Sequence, residues 1–545
     1  MIAERRLIPA LIPGLYTFGF LMLWIPAGLA YFLSDDFSLI RNVQTGGLFG
    51  IWSGSGSRFF RPVISMSIFM DHLLWGVLPV GYHLSNLLFH LANSILVYFL
   101  VIEIQNAVMS GGQNDRGVAS RAALLFLVLP SHGEAIFWIS ARTDLIATVF
   151  FQMSLIAGLR TLTAPSIIPI LISWATAAIA YLSKESALTL LPLYIAVMLL
   201  SRYPRCLGNT YLRSGIIQAG GHAALLTAFW IWRYDRIGDW IGGYGLDIHI
   251  PVLNPAKLIN IPIMMCRSLM PYQSDRTVFV LSVASTLLLV LVVMMRMVRE
   301  TRRTILGTSF RYMLLLAISL LPVFPLGTSI TDMQGERLVY APSVFSVCLL
   351  SLWIKQSVPG KAYHHIWLLI PGLCLAFLAR SSVIYAQAGQ LSKEIVSEIC
   401  SLEPVNLALI NLPDNLRGAY IFRSCLPDAL IISCDRQVAV SIYCTHPIDS
   451  RNTVIDSNLD PRWITLRFPA EWMTRPDFNV LPGRTGDIPA RISENQLRIS
   501  WDTLPVNAIP IMYSGGALHR LTRPEVPLSA SVTASPLATL EVTNH

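Results

Sequence analysis

Charged residues are scarce in this chain. Asp, Glu, Lys and Arg make up 13% of its 545 residues, whereas hydrophobic residues make up 54%. A soluble domain carries roughly 25% charged residues, so this composition excludes an ordinary soluble protein and predicts a polytopic membrane protein. The net charge of +8 does not indicate a nucleic-acid partner, because the basic residues cluster in short loops between apolar runs.

Two sequence patterns are also missing. The chain has no glycine-rich strand–turn–helix signal, which argues against an enzyme that binds nucleotides in that way. It has no internal repeat, which argues against a helical-repeat array and against a transporter built from two related halves.

Long apolar runs predict about eleven transmembrane helices, some of them short for a bilayer core of ~30 Å. The first run, from about Leu7 to Leu33, follows Arg5 and Arg6. It is too long for a signal-peptide core, so we expect an uncleaved first span. The runs lie near residues 10–33, 82–104, 120–138, 143–160, 166–182, 186–201, 215–233, 277–297, 311–328, 342–354 and 366–384.

Lysine and arginine residues occupy alternate loops, which places those loops and the N-terminus on the cytoplasmic side. We therefore expect a transmembrane module over residues 1–385 and an extracytoplasmic C-terminal domain over residues 386–545. The outer side also carries the first outer loop at 33–81, the turns near 132–142 and 183–186, the loop 234–276 and the turn 329–341.

The tail differs in character from the rest of the chain. Alternating or β-branched runs near 437–443, 463–468 and 497–501 are separated by Pro, Asn, Asp and Gly, which predicts a small, strand-rich soluble domain. Outside the cell its cysteines could form disulfides, and the sequence leaves both the pairing and four free thiols open. These cysteines are Cys400, Cys425, Cys434 and Cys444.

Charged residues and a histidine gather at four separate outer segments of the predicted topology. Charges at membrane depth are costly and should face a cavity or each other, so these turns predict one polar site. The side chains concerned are Asp35, Asp36, Arg61, His132, Glu134, Arg142, Asp144, Lys184, Glu185 and Arg337.

Structural interpretations of the same residues stay open at this point. Asp35 and Asp36 could form a solvated helix cap. Arg142 and Asp144 could simply pair with one another.

The remaining polar residues have equally plain alternatives. Lys184 and Glu185 could form a tight polar turn between two spans. His83 and His90 share one face of the second span at a spacing that does not match a metal-binding pair, so we interpret them as packing residues and predict no metal site.

Several segments resemble motifs of C-fold (GT-C) membrane glycosyltransferases. The likeness is to bacterial relatives of the protein O-mannosyltransferases and of the transmembrane O-mannosyltransferases with helical-repeat tails. Segment 58–71 carries an RP pair like the one that precedes the family's second span, and segment 81–93 resembles the GYHxxNxxxH run that opens it. The runs HGEAIFWISARTD at 132–144, SKE at 183–185 and ERLVYAPS at 336–343 resemble the family turns HxEAVxWxxGRxD, SKE and xRYLYxPS.

The resemblance covers most of residues 30–345, with the motifs in the expected order, and segment 411–422 resembles tails of bacterial members. The chain departs from the pattern at Ala141, where glycine is usual, and at Leu338, where an aromatic residue is usual. No helical repeats follow, which removes the usual partner-binding element of the repeat-tailed group.

The resemblance implies an all-α, GT-C-like membrane bundle in the bacterial inner membrane. It implies transfer of a sugar from a polyprenyl-phosphate donor to an acceptor hydroxyl of a protein, a lipid-linked glycan or a polysaccharide. Asp35 or Asp36 would be the general base, with a slight preference for Asp36. The leaving phosphate is already a stable anion, so no general acid is required. The reaction requires no cofactor, and a divalent cation is compatible with it.

The other residues of the predicted site would bind donor and substrate. His132 would partner one of the two aspartates. The carboxylates that would hold cations or bind substrate are Glu134, Asp144 and Glu185. The cations that would offset the charge of the donor phosphate in a partly dry cavity are Arg61, Arg142, Lys184 and Arg337.

Two other function classes stay open. A transporter or lipid flippase would place its key polar residues near the bilayer midplane on interrupted helices, whereas here they lie at outer turns. A polysaccharide polymerase or ligase would share the many spans and outer loops. The aspartate pair directly after the first span argues against a polymerase or ligase.

Overall fold

The chain folds as two compact units. In a computed structural model, one unit comprises Met1–Leu402, Pro413–Gln437 and Pro447–Arg451, and the other comprises the rest of the tail. Most of the predicted first span and Arg58 lie outside the residues that the structure describes. Those residues are 19, 30–53, 59–108, 115–163, 166–200, 204–238, 255–296, 299–358, 360–402, 406–423, 425–473, 475, 477–481, 490–493, 495–505 and 507–524.

Helices form most of the first unit. Their apolar residues recur at helical spacing, as do the buried Phe151, Leu155 and Leu159 of one helix. The described helices of this unit are Asp35–Ser53, Pro62–Trp75, Pro79–Val108, Arg116–Leu127, Gly133–Phe137, Arg142–Thr163, Ile167–Tyr181, Leu190–Leu200, Pro204–Ile237, Asn260–Arg267, Arg276–Arg296, Arg299–Leu320, Ser343–Ser357, Gly360–Ser401 and Leu426–Cys434. The 3-10 turns at the predicted outer side are Pro130–His132, Ile139–Ala141, Glu185–Thr189, Pro255–Ile259 and Glu336–Val339.

Apolar helices of this unit indicate an integral membrane protein. Among the described residues, three helices are long and apolar enough to cross a membrane, namely Pro79–Ala107, Ile139–Leu162 and His365–Ser401. They overlap predicted spans, whereas the count of about eleven spans stays a prediction. Shorter apolar helices lie at Ile167–Tyr181, Glu185–Leu200, Arg276–Leu288, Ile305–Leu320 and Ser343–Ser357.

The predicted span at 120–138 is wrong as one continuous helix. Helix Arg116–Leu127 ends before Pro130, and the chain continues as a 3-10 turn and the short helix Gly133–Phe137. Proline has no backbone N–H, and its ring clashes with the preceding helical turn, so a helix does not continue through it. The break folds the HGEAIF run into a buried turn rather than a membrane-spanning segment.

Buried polar side chains tie the central helices together. Asn93 donates a hydrogen bond to the Leu145 carbonyl at 2.9 Å, and Gln152 donates to Asn93 Oδ1 at 2.9 Å. Ser154 donates to the Ser173 carbonyl at 2.9 Å. Such bonds between helices are typical of membrane bundles, and here they hold the helix that begins with the ARTD residues against its neighbours.

The tail contains the predicted strands. A four-stranded antiparallel sheet has the strand order Asp456–Leu459, Trp463–Arg467, Gln496–Ser500, Ala490–Ser493. A second sheet has the strand order Ala517–Arg520, Ile509–Ser514, Asn406–Leu416, Cys444–Ile448, Asn479–Val480. Strands Ala419–Tyr420 and Ala439–Ile442 also pair with Asn406–Leu416. The short helix Ala470–Met473 lies between strands. The predicted strand-containing character of the tail is confirmed.

A disulfide joins Cys400 to Cys434, with 5.8 Å between their Cα atoms. It links the end of helix Gly360–Ser401 to helix Leu426–Cys434, and both cysteines belong to the first unit. Another tail cysteine, Cys444, is a buried free thiol. The predicted division at residue 385 falls inside helix Gly360–Ser401.

Candidate active site

Asp36 lies at the start of helix Asp35–Ser53 and is held by hydrogen bonds. Its Oδ1 accepts the Ser140 N–H at 2.8 Å and the Ser140 hydroxyl at 2.5 Å, and its Oδ2 accepts the Leu33 N–H at 3.0 Å. Burial raises the pKa of Asp36 to about 7, although these hydrogen bonds act in the opposite direction. The carboxylate therefore joins the first outer loop to the turn that contains Ser140.

Asp35 has a different environment from its neighbour. Its side chain is partly exposed, and the Ser34 hydroxyl donates a hydrogen bond to its Oδ1 at 3.4 Å. Ser34 has a positive φ of 44°, so the backbone turns sharply just before the helix. Both aspartates lie in the first turn of that helix, where the helix dipole favours negative charge.

Arg142 is fully buried and donates in several directions. Its Nε donates to Asn86 Oδ1 at 2.7 Å, and its Nη2 donates to the Tyr82 carbonyl at 2.8 Å. Its Nη1 lies 2.5 Å from Asp71 Oδ2. The interpretation that Arg142 pairs with Asp144 is therefore wrong, because Asp71 is its carboxylate partner.

Lys184 and Asp144 form a second buried ion pair. The Lys184 ammonium lies 2.5 Å from each oxygen of the Asp144 carboxylate, and their side chains are 4% and 5% exposed. The pair connects the SKE turn to the start of helix Arg142–Thr163.

Two further ion pairs have a partly exposed arginine, and in one of them the Glu185 side chain is partly exposed as well. Arg61 Nη2 lies 2.6 Å from Glu185 Oε2, and Arg337 Nη1 lies 3.0 Å from Glu134 Oε1. The side chains of the two arginines are 16% and 19% exposed. The Arg337 guanidinium also lies over the Trp138 ring at 4.5 Å. Glu134 and Glu185 thus hold cations, which is one of the two roles expected for them.

His132 belongs to a buried cluster of rings. Its Nε2 lies 2.8 Å from Ser343 Oγ, and its ring centroid lies 4.4 Å from that of Tyr340. His90 lies in the same cluster, with one ring nitrogen 2.7 Å from the Tyr340 hydroxyl and the other 2.9 Å from the Leu127 carbonyl. These contacts fit the packing role expected for His90. The expectation that His132 partners one of the two aspartates is wrong, because His132 contacts Ser343 and Tyr340 instead.

Sequence reasoning missed the ion pair between Arg267 and Glu336. Arg267 Nη2 lies 2.6 Å from Glu336 Oε1, and both side chains are fully buried. Burial raises the pKa of Glu336 to about 7, and Arg267 acts in the opposite direction. The signal was an arginine at the end of the mostly apolar run IPIMMCR, which is costly unless a carboxylate compensates it.

Three other residues that hold the site were also missed. Asp71, Asn86 and Ser140 contact Arg142 or Asp36 directly. Each of the three lies inside one of the motif segments, so the available signal was a polar residue within a family motif.

A small cleft opens among three of the motif turns. It combines hydroxyl, carboxylate and apolar groups, a mixture that ligand sites commonly have. Among the described residues, no group of three or more His, Cys, Asp or Glu side chains is arranged to hold a metal ion. The cleft is lined by Asp144, Ala147, Thr148, Phe151, Ser186, Ala187, Thr189, Ser319, Val323, Leu338, Ala341 and Pro342.

The chain is similar in sequence to protein O-mannosyl-transferases, which confirms the resemblance predicted from the motifs. It is 24% identical over 324 residues to protein O-mannosyl-transferase F38B6.6 of Caenorhabditis elegans, a match that covers 57% of this chain and 44% of the relative. It is 30% identical over 155 residues to protein O-mannosyl-transferase TMTC4 of Mus musculus, covering 26% of this chain and 21% of the relative. The chain thus spans less than half the length of these curated relatives.

Two solved structures of ArnT from Cupriavidus metallidurans were also found. The crystal structure bound to undecaprenyl phosphate has a TM-score of 0.43 and 11% sequence identity, and the match covers 79% of this chain and 86% of that chain. The crystal structure in the apo state has a TM-score of 0.40 and 13% identity, with the same coverage. No family model matches the chain.

Proposed function

We propose that this chain is a membrane glycosyltransferase that uses a polyprenyl-phosphate-linked sugar. It transfers the sugar to an acceptor hydroxyl at the outer face of a bacterial inner membrane, with the N-terminus in the cytoplasm and the C-terminal region in the periplasm. The names of the relatives support mannose as the sugar and a protein hydroxyl as the acceptor. Lipid-linked glycans and polysaccharides are the alternative acceptors.

The convergence of the motif turns carries this proposal. The first outer loop meets the 132–144 turn through Asp36 and Ser140, and it meets the SKE turn through Arg61 and Glu185. Charged side chains from distant parts of the sequence thus surround one region of the first unit. Such an arrangement fits a site for a charged substrate.

Asp35 is the proposed general base, and Asp36 is proposed to position it. A base needs a lone pair within reach of the acceptor hydroxyl. Asp36 is 1% exposed and both of its oxygens accept hydrogen bonds, whereas Asp35 is partly exposed. This assignment reverses the slight preference for Asp36 that the motif analogy gave.

The proposed step forms one bond and breaks another at the anomeric carbon. The acceptor oxygen attacks this carbon while its proton passes to the Asp35 carboxylate. The bond from the anomeric carbon to the phosphate oxygen breaks, and polyprenyl phosphate leaves as an anion. The transition state has oxocarbenium character, so the nearby carboxylates also stabilise its positive charge.

Arg61 and Arg337 are the proposed ligands of the donor phosphate. Their guanidinium groups are partly exposed, and each is paired with one carboxylate that a phosphate would compete with. Arg142 and Lys184 are buried, and each is paired with a buried carboxylate. We assign these two cations to holding the motif turns in place.

The test is sugar transfer by the purified full-length protein. A panel of polyprenyl-phosphate-linked sugars is supplied with a crude envelope extract and with Ser/Thr-containing peptides as acceptors. Transfer by the wild type, loss of transfer in Asp35→Asn and retained donor binding would support the proposal. The exposed Asp456→Asn change in the second unit serves as the matched control. Full activity in both Asp35→Asn and Asp36→Asn would overturn the carboxylate mechanism.

A further inference from the structure

A short hairpin of the tail belongs to the first unit and reaches the motif turns. The end of strand Asn406–Leu416 pairs with strand Ala419–Tyr420 in an antiparallel manner. The turn between them contains Arg417 and Gly418, which have positive φ values of 49° and 92°. We call residues 413–423 the hairpin segment.

The hairpin segment holds the backbone on both sides of the aspartate pair. The Ser34 N–H donates a hydrogen bond to the Ile421 carbonyl at 2.9 Å. The Phe422 ring stacks on the Phe37 ring at 6.5 Å between centroids, and both rings are buried. The residue before Asp35 and the residue after Asp36 are therefore both in contact with the tail.

The same segment is fixed to two other motif turns. The Tyr420 ring packs edge-on against the Trp138 ring at 5.1 Å. The Met333 N–H donates to the Arg417 carbonyl at 3.3 Å. A Cβ atom on Gly418 would lie 2.6 Å from the Met333 nitrogen, so only glycine allows this approach of two backbones.

We infer that the hairpin segment is a positioning element for the Asp35–Asp36 pair. This inference rests on the proposed function for the role of those carboxylates. The Ile421 carbonyl accepts a hydrogen bond from the Ser34 N–H and so fixes this part of the backbone. Ser34 directly precedes Asp35, and it directly follows Leu33, whose N–H donates to Asp36. Catalytic groups must be held to within a fraction of an ångström by the groups around them. A tail segment thereby contributes to the geometry of a reaction whose charged residues all lie before residue 345.

The test compares two glycines in hairpin turns of the full-length protein. Gly418→Ala places a methyl group against Met333, whereas Gly515→Ala changes a positive-φ glycine that meets only the Val454 side chain at 3.9 Å. Both variants thus place alanine at a positive φ, but only Gly418→Ala brings a methyl group into a clash with the Met333 backbone. Hydrogen–deuterium exchange of the peptide that contains Ser34 is measured in each, together with kcat and the donor KM for polyprenyl-phosphate mannose.

We expect faster exchange at the Ser34 peptide in Gly418→Ala and wild-type exchange in Gly515→Ala. We expect kcat to fall by roughly 100-fold in Gly418→Ala, since a misplacement of about 1 Å can cost that much. The donor KM should change little, because Glu185 and Glu134 hold Arg61 and Arg337 in place. A structural role alone would lower protection throughout the first unit instead of at this peptide.

Phe422→Leu provides a second variant if Gly418→Ala does not fold. It keeps an apolar side chain but removes the stacking on Phe37, so the same local rise in exchange and fall in kcat are expected. Wild-type exchange and kcat in a folded variant would overturn the inference, as would a loss of protection spread over the whole unit. If the wild type consumes no donor, the proposed function fails, and the exchange data still decide whether the hairpin segment holds the loop.

Discussion

The Asp36 carboxylate accepts hydrogen bonds from both the backbone N–H and the hydroxyl of Ser140. The two residues are far apart in sequence, and this contact ties the first outer loop to the 132–144 turn. Ser140 thus connects the ionisation of Asp36 to the shape of the candidate site.

Replacement of Ser140 by alanine should move the pH dependence of transfer. Burial already raises the pKa of Asp36 to about 7, and the Ser140 hydroxyl lowers it by binding the charged form. Without that hydroxyl the pKa of Asp36 rises further. Since Asp36 is proposed to position the base Asp35 in its charged form, the acidic limb of the profile should shift from near neutrality to higher pH. Measurement of kcat/KM across the neutral pH range checks this. An unchanged acidic limb would show that the ionisation of Asp36 does not affect transfer.

Replacement of Arg142 by alanine should destabilise the protein strongly. The change leaves Asp71 buried without its cation, and breaking a buried pair in this way costs about 3–5 kcal/mol. Arg160→Ala is the control, because the Arg160 side chain is 53% exposed in its pair with Glu103 and such pairs contribute at most about 1 kcal/mol. Unfolding midpoints in detergent measure both. A wild-type unfolding midpoint together with lost donor binding would instead indicate that Arg142 binds the donor phosphate.

Replacement of Glu185 by glutamine should strengthen binding of polyprenyl phosphate. Glutamine keeps the shape of the side chain but removes the charge that competes with a phosphate for Arg61. Arg61→Ala should weaken binding by roughly tenfold or more, since a hydrogen bond to a charged group contributes about 1.5–3 kcal/mol. Titration of both variants with the lipid measures the effect. Equal affinities in the two variants would exclude Arg61 as a ligand.

Replacement of Cys434 by serine should lower stability. Because 34 positions separate the two cysteines, opening this loop removes about 4 kcal/mol in the chain-entropy account. Digestion without reductant should yield one peptide that links Cys400 to Cys434, whereas Cys444 should carry an alkylating label once the protein is unfolded. A link from Cys400 or Cys434 to any other cysteine would contradict this pairing.

The meeting of charged side chains at the motif turns was predictable, because charges in apolar sequence are costly and seek partners. The partners of those charges were not predictable, because they depend on how each helix is rotated. Arg142 and Asp144 are two positions apart on one helix and so point in different directions. They pair with Asp71 and Lys184 on neighbouring segments instead.

The fold was predictable to a similar extent. Apolar runs indicated the helices at 79–108 and 142–163, and alternation indicated the strands near 463 and 497. The predicted span at 120–138 was wrong because it was based on apolar composition and ignored the helix break at Pro130. The approach of the hairpin segment to the aspartate loop left no signal in sequence, since a backbone hydrogen bond can be made by almost any residue.

The hydrogen bond between Ser34 and Ile421 joins a residue that is synthesised early to one that is synthesised late in the first unit. A ribosome makes the aspartate loop first, and the hairpin segment follows only after helix Gly360–Ser401. Under the positioning role inferred for the hairpin segment, a nascent chain carries its carboxylates without their final support. The protein then becomes competent only when its tail has been delivered to the same side as the loop.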